Sequence, residues 1–381
     1  MNSTHVVESS LSDFELWNKI SDKRVPLDFY LELTAQCNNN CSHCYINLPP
    51  NDRDARKSEI SLSEINRIAD QAVELGAVWC LITGGEPLLR KDFSDIYLSL
   101  KRKGLLVSVF TNACLITQDH INLFKKYPPR DIEVTVYGVT EETYERVTRK
   151  PGSYKAFRRG LDLLIDYGIK VRLKAVAIRS NVQELPQIAE FCRKYTSDYF
   201  RFDPLLNLRH DRNPARNKEI TSERLSPEEI AAIEQADKER AGTLVKHCDQ
   251  YIFHEESGDQ VCNHLFRCGA GNSSFIVSYD GIFRLCGELW HSQTTLDLRT
   301  HDLREAWDKL VPHVREMRSV SEDFLKRCRA CPIINLCLWC PASAFLETGS
   351  MDGFSDYFCA VAHARADALQ RSIHSANHEK A

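Results

Sequence analysis

The stretch LELTAQCNNNCSHCY, residues 31–45, constrains this chain more than any other. Cys37, Cys41 and Cys44 follow an extended apolar run at C-x3-C-x2-C spacing. The three Asn between the first two cysteines disfavour a helix and put the thiols on a loop. Three thiolates this close in sequence can hold three irons of a cuboidal [4Fe–4S] cluster, leaving the fourth iron without a protein ligand. A structural zinc normally takes four protein ligands. His43 is the nearest candidate for a fourth, but it lies between two of the thiols with little freedom to reach a shared metal. Three metal-free cysteines would need a common helix face, which the Asn run opposes.

A chain of 381 residues is long for one domain, so two are expected. The charge is nearly balanced at −4, which gives no nucleic-acid footprint. No apolar run approaches the ~20 residues that span a bilayer, so no membrane partner is expected. The N-terminal MNSTHVVESSLSDFELW carries no basic-plus-apolar signal, which makes a cytoplasmic location the expectation. Against that background, 15 cysteines point to metal or redox chemistry rather than disulfides.

From Leu27 a βα pattern repeats. Strand-like runs lie at 27–34, 78–84, 105–112, 131–138, 170–178 and 199–206, separated by stretches of helical periodicity. Alternation of this kind implies a parallel sheet with right-handed crossovers. Six units are too few for an ordinary eight-stranded barrel. In barrels, chemistry sits where loops leave the C-terminal ends of strands. The cysteine loop, Gly84-Gly85-Glu86-Pro87 and Thr111-Asn112 all fall at such ends. Residues 1–26 read as an arm, 27–206 as the barrel, 207–230 as a charged linker across its mouth, 231–370 as a second domain and 371–381 as a polar tail. Asp203-Pro204 reads as a turn that can face substrate.

The cysteine spacing after a strand, with Tyr45 following the third thiol, resembles the radical S-adenosylmethionine (SAM) superfamily. The resemblance implies an α/β fold with an open, partial (βα)6 TIM-like barrel. It also implies a [4Fe–4S] cluster whose open iron chelates SAM, and an electron transfer that yields a 5′-deoxyadenosyl radical able to abstract hydrogen from substrate. Gly84, Gly85 and Glu86 match the family's motif for the SAM amino group. Tyr45, Asn112 and Tyr137 are then expected around SAM, with Arg149, Arg172 and Lys174 as candidates for its carboxylate. A flavodoxin or ferredoxin is the implied external electron donor.

A second cysteine field follows residue 260: Cys262, Cys268 and Cys286, then Cys328, Cys331, Cys337, Cys340 and Cys359. Between its first members, FIVSYDGIFRLC reads as a hairpin turning at Asp280-Gly281. The field resembles the SPASM domain of radical SAM enzymes, including its G-x4-C element from Gly281 to Cys286. That resemblance implies two auxiliary [4Fe–4S] clusters, one on Cys262, Cys268, Cys286 and Cys340, the other on Cys328, Cys331, Cys337 and Cys359. The family usually has three residues between the last pair of the central motif, and this chain has two. One or two structural zincs are the competing reading of the same spacing. Cys80 and Cys192 read as small buried hydrophobes, while Cys114 and Cys248 match nothing.

The resemblance implies an oxidoreductase, first a maturase of peptide side chains by crosslinking, thioether formation, oxidation or epimerisation. A separate peptide-recognition protein could deliver such a substrate. The alternative is an enzyme acting on a small molecule such as a tetrapyrrole, sugar or quinone precursor. A non-enzymatic iron–sulfur carrier is disfavoured by the intact GGEP stretch. Sulfatase-maturing members carry an Asp directly after the third cysteine of the second domain; here Gly287 stands there, followed by Glu288.

Overall fold

In the computed structural model the described residues are 23–196, 200–246 and 263–378. Most of the N-terminal arm, Cys248 and Cys262 lie outside them, as does the end of the tail.

Among the described residues nine strands form one sheet in the order β6-β5-β4-β3-β2-β1-β7-β8-β9, the last being β9 (Leu296–Asp297). The first six are β1 (Asp28–Glu32), β2 (Trp79–Thr83), β3 (Leu106–Thr111), β4 (Ile132–Thr135), β5 (Val171–Val176) and β6 (Arg201–Asp203). Each pairs in parallel with the next. The end strands β6 and β9 are not neighbours, so the sheet is an open partial barrel.

Local sequence explains the elements. The helix Leu62–Glu74 opens with a Ser61–Glu64 capping box and buries Ile65, Ile68, Ala69 and Ala72 at spacings of three, one and three. In β1, Phe29 and Leu31 point into the core with no exposure while Asp28 and Tyr30 face outward.

The second cysteine field is joined to the barrel through the sheet. Its hairpin, β7 (Ser274–Val277) and β8 (Ile282–Arg284), joins the barrel sheet, with β7 parallel to β1 and β8 antiparallel to β7. Phe29 stacks on Phe275 with centroids 5.5 Å apart, so one core runs through both regions. Apolar residues on both sides of that seam outweigh the separation in sequence. The turn is at the expected place, and Gly281 supplies its φ of +87°.

Residues 207–230, read as a linker, contain two helix starts, the second at Ser226. Asn213 caps a helix, Pro214–Glu223, and a Ser226–Glu229 capping box starts another, Pro227–Ala236. The charges that suggested a solvated crossing are spent on the cysteine loop.

Candidate functional site

The loop after β1 is held from three sides. Leu48 N–H donates to Ala35 O at 2.7 Å, and Cys37 N–H donates to Leu48 O at 2.9 Å, which closes residues 35–48 into a compact turn. Asn40 N–H reaches Thr148 O at 2.9 Å. From residues 207–223, Arg209 donates to Cys44 O and Asn47 O, and Arg216 to Cys41 O at 2.9 Å. Glu223 accepts from Ser42 Oγ at 2.7 Å and from Ser180. Periodicity does not mark these three residues. The only sequence signal is a run of charges following the last barrel strand.

Gly84 and Gly85 sit against the same loop, backbone to backbone. Gly85 N–H donates to Thr34 O at 2.7 Å, and Glu86 N–H to Gln36 O at 2.8 Å. A Cβ on Gly85 would lie 2.3 Å from Gln36 O, and one on Gly84 would lie 2.4 Å from Thr34 O. Glycine is needed because two chain segments touch there, and both residues also line the cavity described below.

Glu86, expected with Gly84 and Gly85 at the SAM amino group, is wholly buried. Its carboxylate accepts from Thr111 Oγ1 (2.8 Å), Asn112 N–H (2.8 Å) and Leu88 N–H (3.1 Å), which ties β2 to β3. Burial pushes it up to about 7, opposed by these donors. The folded state therefore holds a proton that the unfolded chain releases above the ordinary value of 4.5. This group's contribution to stability is present below that value and is lost as pH rises toward 7. Glu86→Gln is expected to flatten that part of the pH dependence of the urea midpoint, and an unchanged slope would contradict it.

The cavity itself has a volume of about 490 Å³ and opens at the C-terminal ends of the strands. Cys37, Cys41 and Cys44 line it, with Tyr45, Asn112, Tyr137 and Lys174. Burial raises the Cys37 thiol well above its ordinary range, and Glu86, Cys41 and Cys44 add to this. Backbone N–H groups of Asn39 and Asn47 face Cys37 and Cys44 sulfur at 3.5 and 3.4 Å. Three thiols lining one cavity, with backbone amide donors to two of them, suit a [4Fe–4S] cluster, which takes thiolate ligands and N–H donors to its sulfurs.

Of the three candidate cations for the SAM carboxylate, only Lys174 lines the cavity. It pairs with Glu133 and lies over the Phe110 ring. Arg149 pairs with Glu219 at 2.8 Å, and Arg172 lies 3.8 Å from Asp131; neither lines the cavity. Asp203 and Pro204 do line it. So does Glu288, which burial pushes up to about 7 against the pull of Arg284.

In the second field, Cys340 and Cys268 both raise the Cys286 thiol, after burial. Cys328, Cys331, Cys337 and Cys359 line one small cavity together. Among the described residues no three or more His, Cys, Asp or Glu side chains converge tightly enough for a single metal ion. Cys80 and Cys192 are buried in the core, and Cys114 is buried with its sulfur 3.6 Å from Ser153 O.

An open parallel barrel with a three-thiol loop at its mouth defines an iron–sulfur enzyme of the SAM-cleaving class. The chain carries a radical SAM domain: the model of the radical SAM superfamily matches residues 31–192. Its cysteine-rich C-terminal region is consistent with a SPASM domain. The chain is 25% identical over 332 residues to the Fe-coproporphyrin III synthase of Methanosarcina barkeri, covering 80% of each chain. It is 27% identical over 180 residues to the subtilosin biosynthesis protein AlbA of Bacillus subtilis, covering 47% of this chain and 39% of AlbA. Its fold matches Streptococcus suis SuiB bound to precursor peptide SuiA at a TM-score of 0.65, with 16% identity over 94% of this chain and 84% of SuiB. The chain is thus an enzyme that uses a [4Fe–4S] cluster and SAM.

Proposed function

We propose that the enzyme matures a peptide side chain. The cluster held by Cys37, Cys41 and Cys44 would supply the electron for reductive SAM cleavage, giving a 5′-deoxyadenosyl radical that takes a hydrogen atom from substrate. Gly84, Gly85, Asn112, Tyr137 and Tyr45 frame SAM. Cys262, Cys268, Cys286 and Cys340, and separately Cys328, Cys331, Cys337 and Cys359, hold two auxiliary clusters.

The observation that carries the substrate reading is the charge of the cavity wall. Its cations all have carboxylate partners: Lys174 pairs with Glu133, and Arg240 and Arg365 share the single carboxylate of Glu234 at 2.6 and 2.8 Å. Burial lowers His43, also in the wall, to about 4, so it is neutral near pH 7. Asp203 and Glu288 add carboxylates, while Asn47, Asn207, Thr83 and Thr135 offer amides and hydroxyls. Such a wall suits the neutral backbone of a peptide better than a macrocycle bearing several carboxylates. The fold shared with peptide-bound SuiB supports the same reading. A flavodoxin or ferredoxin would deliver electrons, and a separate recognition protein would present the peptide. The 13 described cysteines are all unpaired, which supports a reducing, cytoplasmic setting.

The second reading, a tetrapyrrole substrate, is favoured by the similarity to the Methanosarcina synthase over most of both chains. Anaerobic incubation with SAM and dithionite separates the two. The peptide reading predicts a mass change in a short peptide encoded beside the gene and no consumption of Fe-coproporphyrin III. Consumption of the porphyrin with an unaltered peptide would overturn it.

A further inference from the structure

Asn112 stands at the end of β3 with its side-chain amide oriented by partners on both sides. Its backbone N–H donates to Glu86 Oε2 at 2.8 Å, and its Oδ1 accepts from Cys114 N–H at 3.0 Å. Because Oδ1 is occupied by a donor, the opposite end must be the NH2 group, which settles the orientation by its network. That NH2 faces Asn38 Oδ1 at 2.8 Å and Cys37 Sγ at 3.7 Å. Both Asn112 and Cys37 are at most 8% exposed, so water does not compete for the sulfur.

We propose that Asn112 is a positioning residue which, locked by Glu86, donates a hydrogen bond to the Cys37 sulfur and raises the reduction potential of the SAM-binding cluster. The inference rests on the cluster reading and goes beyond a contact between Asn112 and SAM. Reduction adds negative charge to cluster and ligand sulfurs, so an N–H donor stabilises the reduced state more than the oxidised one. Glu86 acts through Asn112, since its carboxylate holds the backbone from which the amide projects.

The test is an EPR-monitored redox titration of reconstituted, SAM-free protein. For Asn112→Leu and the smaller Asn112→Ala, the reduced-to-oxidised ratio at a fixed solution potential is expected to fall about three- to tenfold, a tenfold change being about 59 mV for one electron. Asn112→Asp, which turns a carboxylate on the sulfur, is expected to fall further. Iron per chain should match wild type in whichever variants are compared. Unchanged midpoints in iron-replete variants would overturn the proposal, and would do so even if SAM affinity dropped, since the amide would then serve SAM alone. An iron-replete wild type with no titratable signal would instead overturn the cluster reading, and this inference with it.

Discussion

Gly85→Ala is expected to lower 5′-deoxyadenosine formation by at least about a hundredfold, the scale of a 1 Å misplacement in an active site. The new Cβ meets Gln36 O at 2.3 Å, Ala35 O at 2.7 Å and Gln36 C at 2.8 Å, all backbone atoms. No flexible side chain can yield, so the end of β2 must move away from the loop that carries the thiols. That movement strains the bonds from Gly85 N–H to Thr34 O and Glu86 N–H to Gln36 O. We expect a stability loss of about 3 kcal/mol, in the range for overpacking with lost hydrogen bonds. Gly104→Ala is the control: its φ is +83°, but a Cβ there meets nothing within 4 Å. It should cost about 1 kcal/mol and leave turnover intact. Equal loss of activity in both variants would contradict the account.

Arg284→Met is expected to be the most destabilising single change on the second side of the sheet. Arg284 and Glu32 are both buried, with Nη2 2.6 Å from Oε2, and the guanidinium lies 3.6 Å from the Trp290 ring centroid. The pair ties β8 to the last residue of β1, immediately before the cysteine loop. Removing one partner of a buried pair costs about 3–5 kcal/mol because the other charge is left uncompensated. Glu32 is already raised by burial, with Arg284 opposing, and Glu288 is placed the same way. Without the arginine both carboxylates rise further and stay protonated in the fold. Carboxylates raised in the folded state lose stability as pH climbs above their unfolded value, so the deficit should be smaller at about pH 5 than at about pH 8. Denaturant titrations at the two pH values check this, and Glu32→Leu combined with Arg284→Met should recover much of the loss. A deficit independent of pH would contradict the charge argument.

Much of this was legible because the chemistry is written in local spacing. Cys37, Cys41 and Cys44 lie within one turn of loop, and the strands that carry that loop, Gly84-Gly85 and Asn112 show clear βα alternation. What escaped the sequence depends on contacts between distant segments. The GGEP stretch fixed where Glu86 lies along the chain but not which way it faces, and the donors of β3 draw it inward. Arg209, Arg216 and Glu223 look like solvated charges until the fold brings the cysteine loop beneath them. The hairpin at 274–284 carries a clear turn signal, yet its parallel pairing with β1 is set by packing among Phe29, Phe275 and Phe283. Tetrapyrrole and peptide readings divide on cavity charge, which appears only once Lys174, Arg240 and Arg365 are seen with their carboxylates.

The most direct measurement is 5′-deoxyadenosine released by anaerobically reconstituted protein given SAM and dithionite. The account predicts release by the wild type and none when Cys37, Cys41 and Cys44 are replaced together by alanine, although that variant should keep the iron held in the C-terminal region. Iron-replete wild type that releases none, or a triple variant that still releases it, would contradict the account.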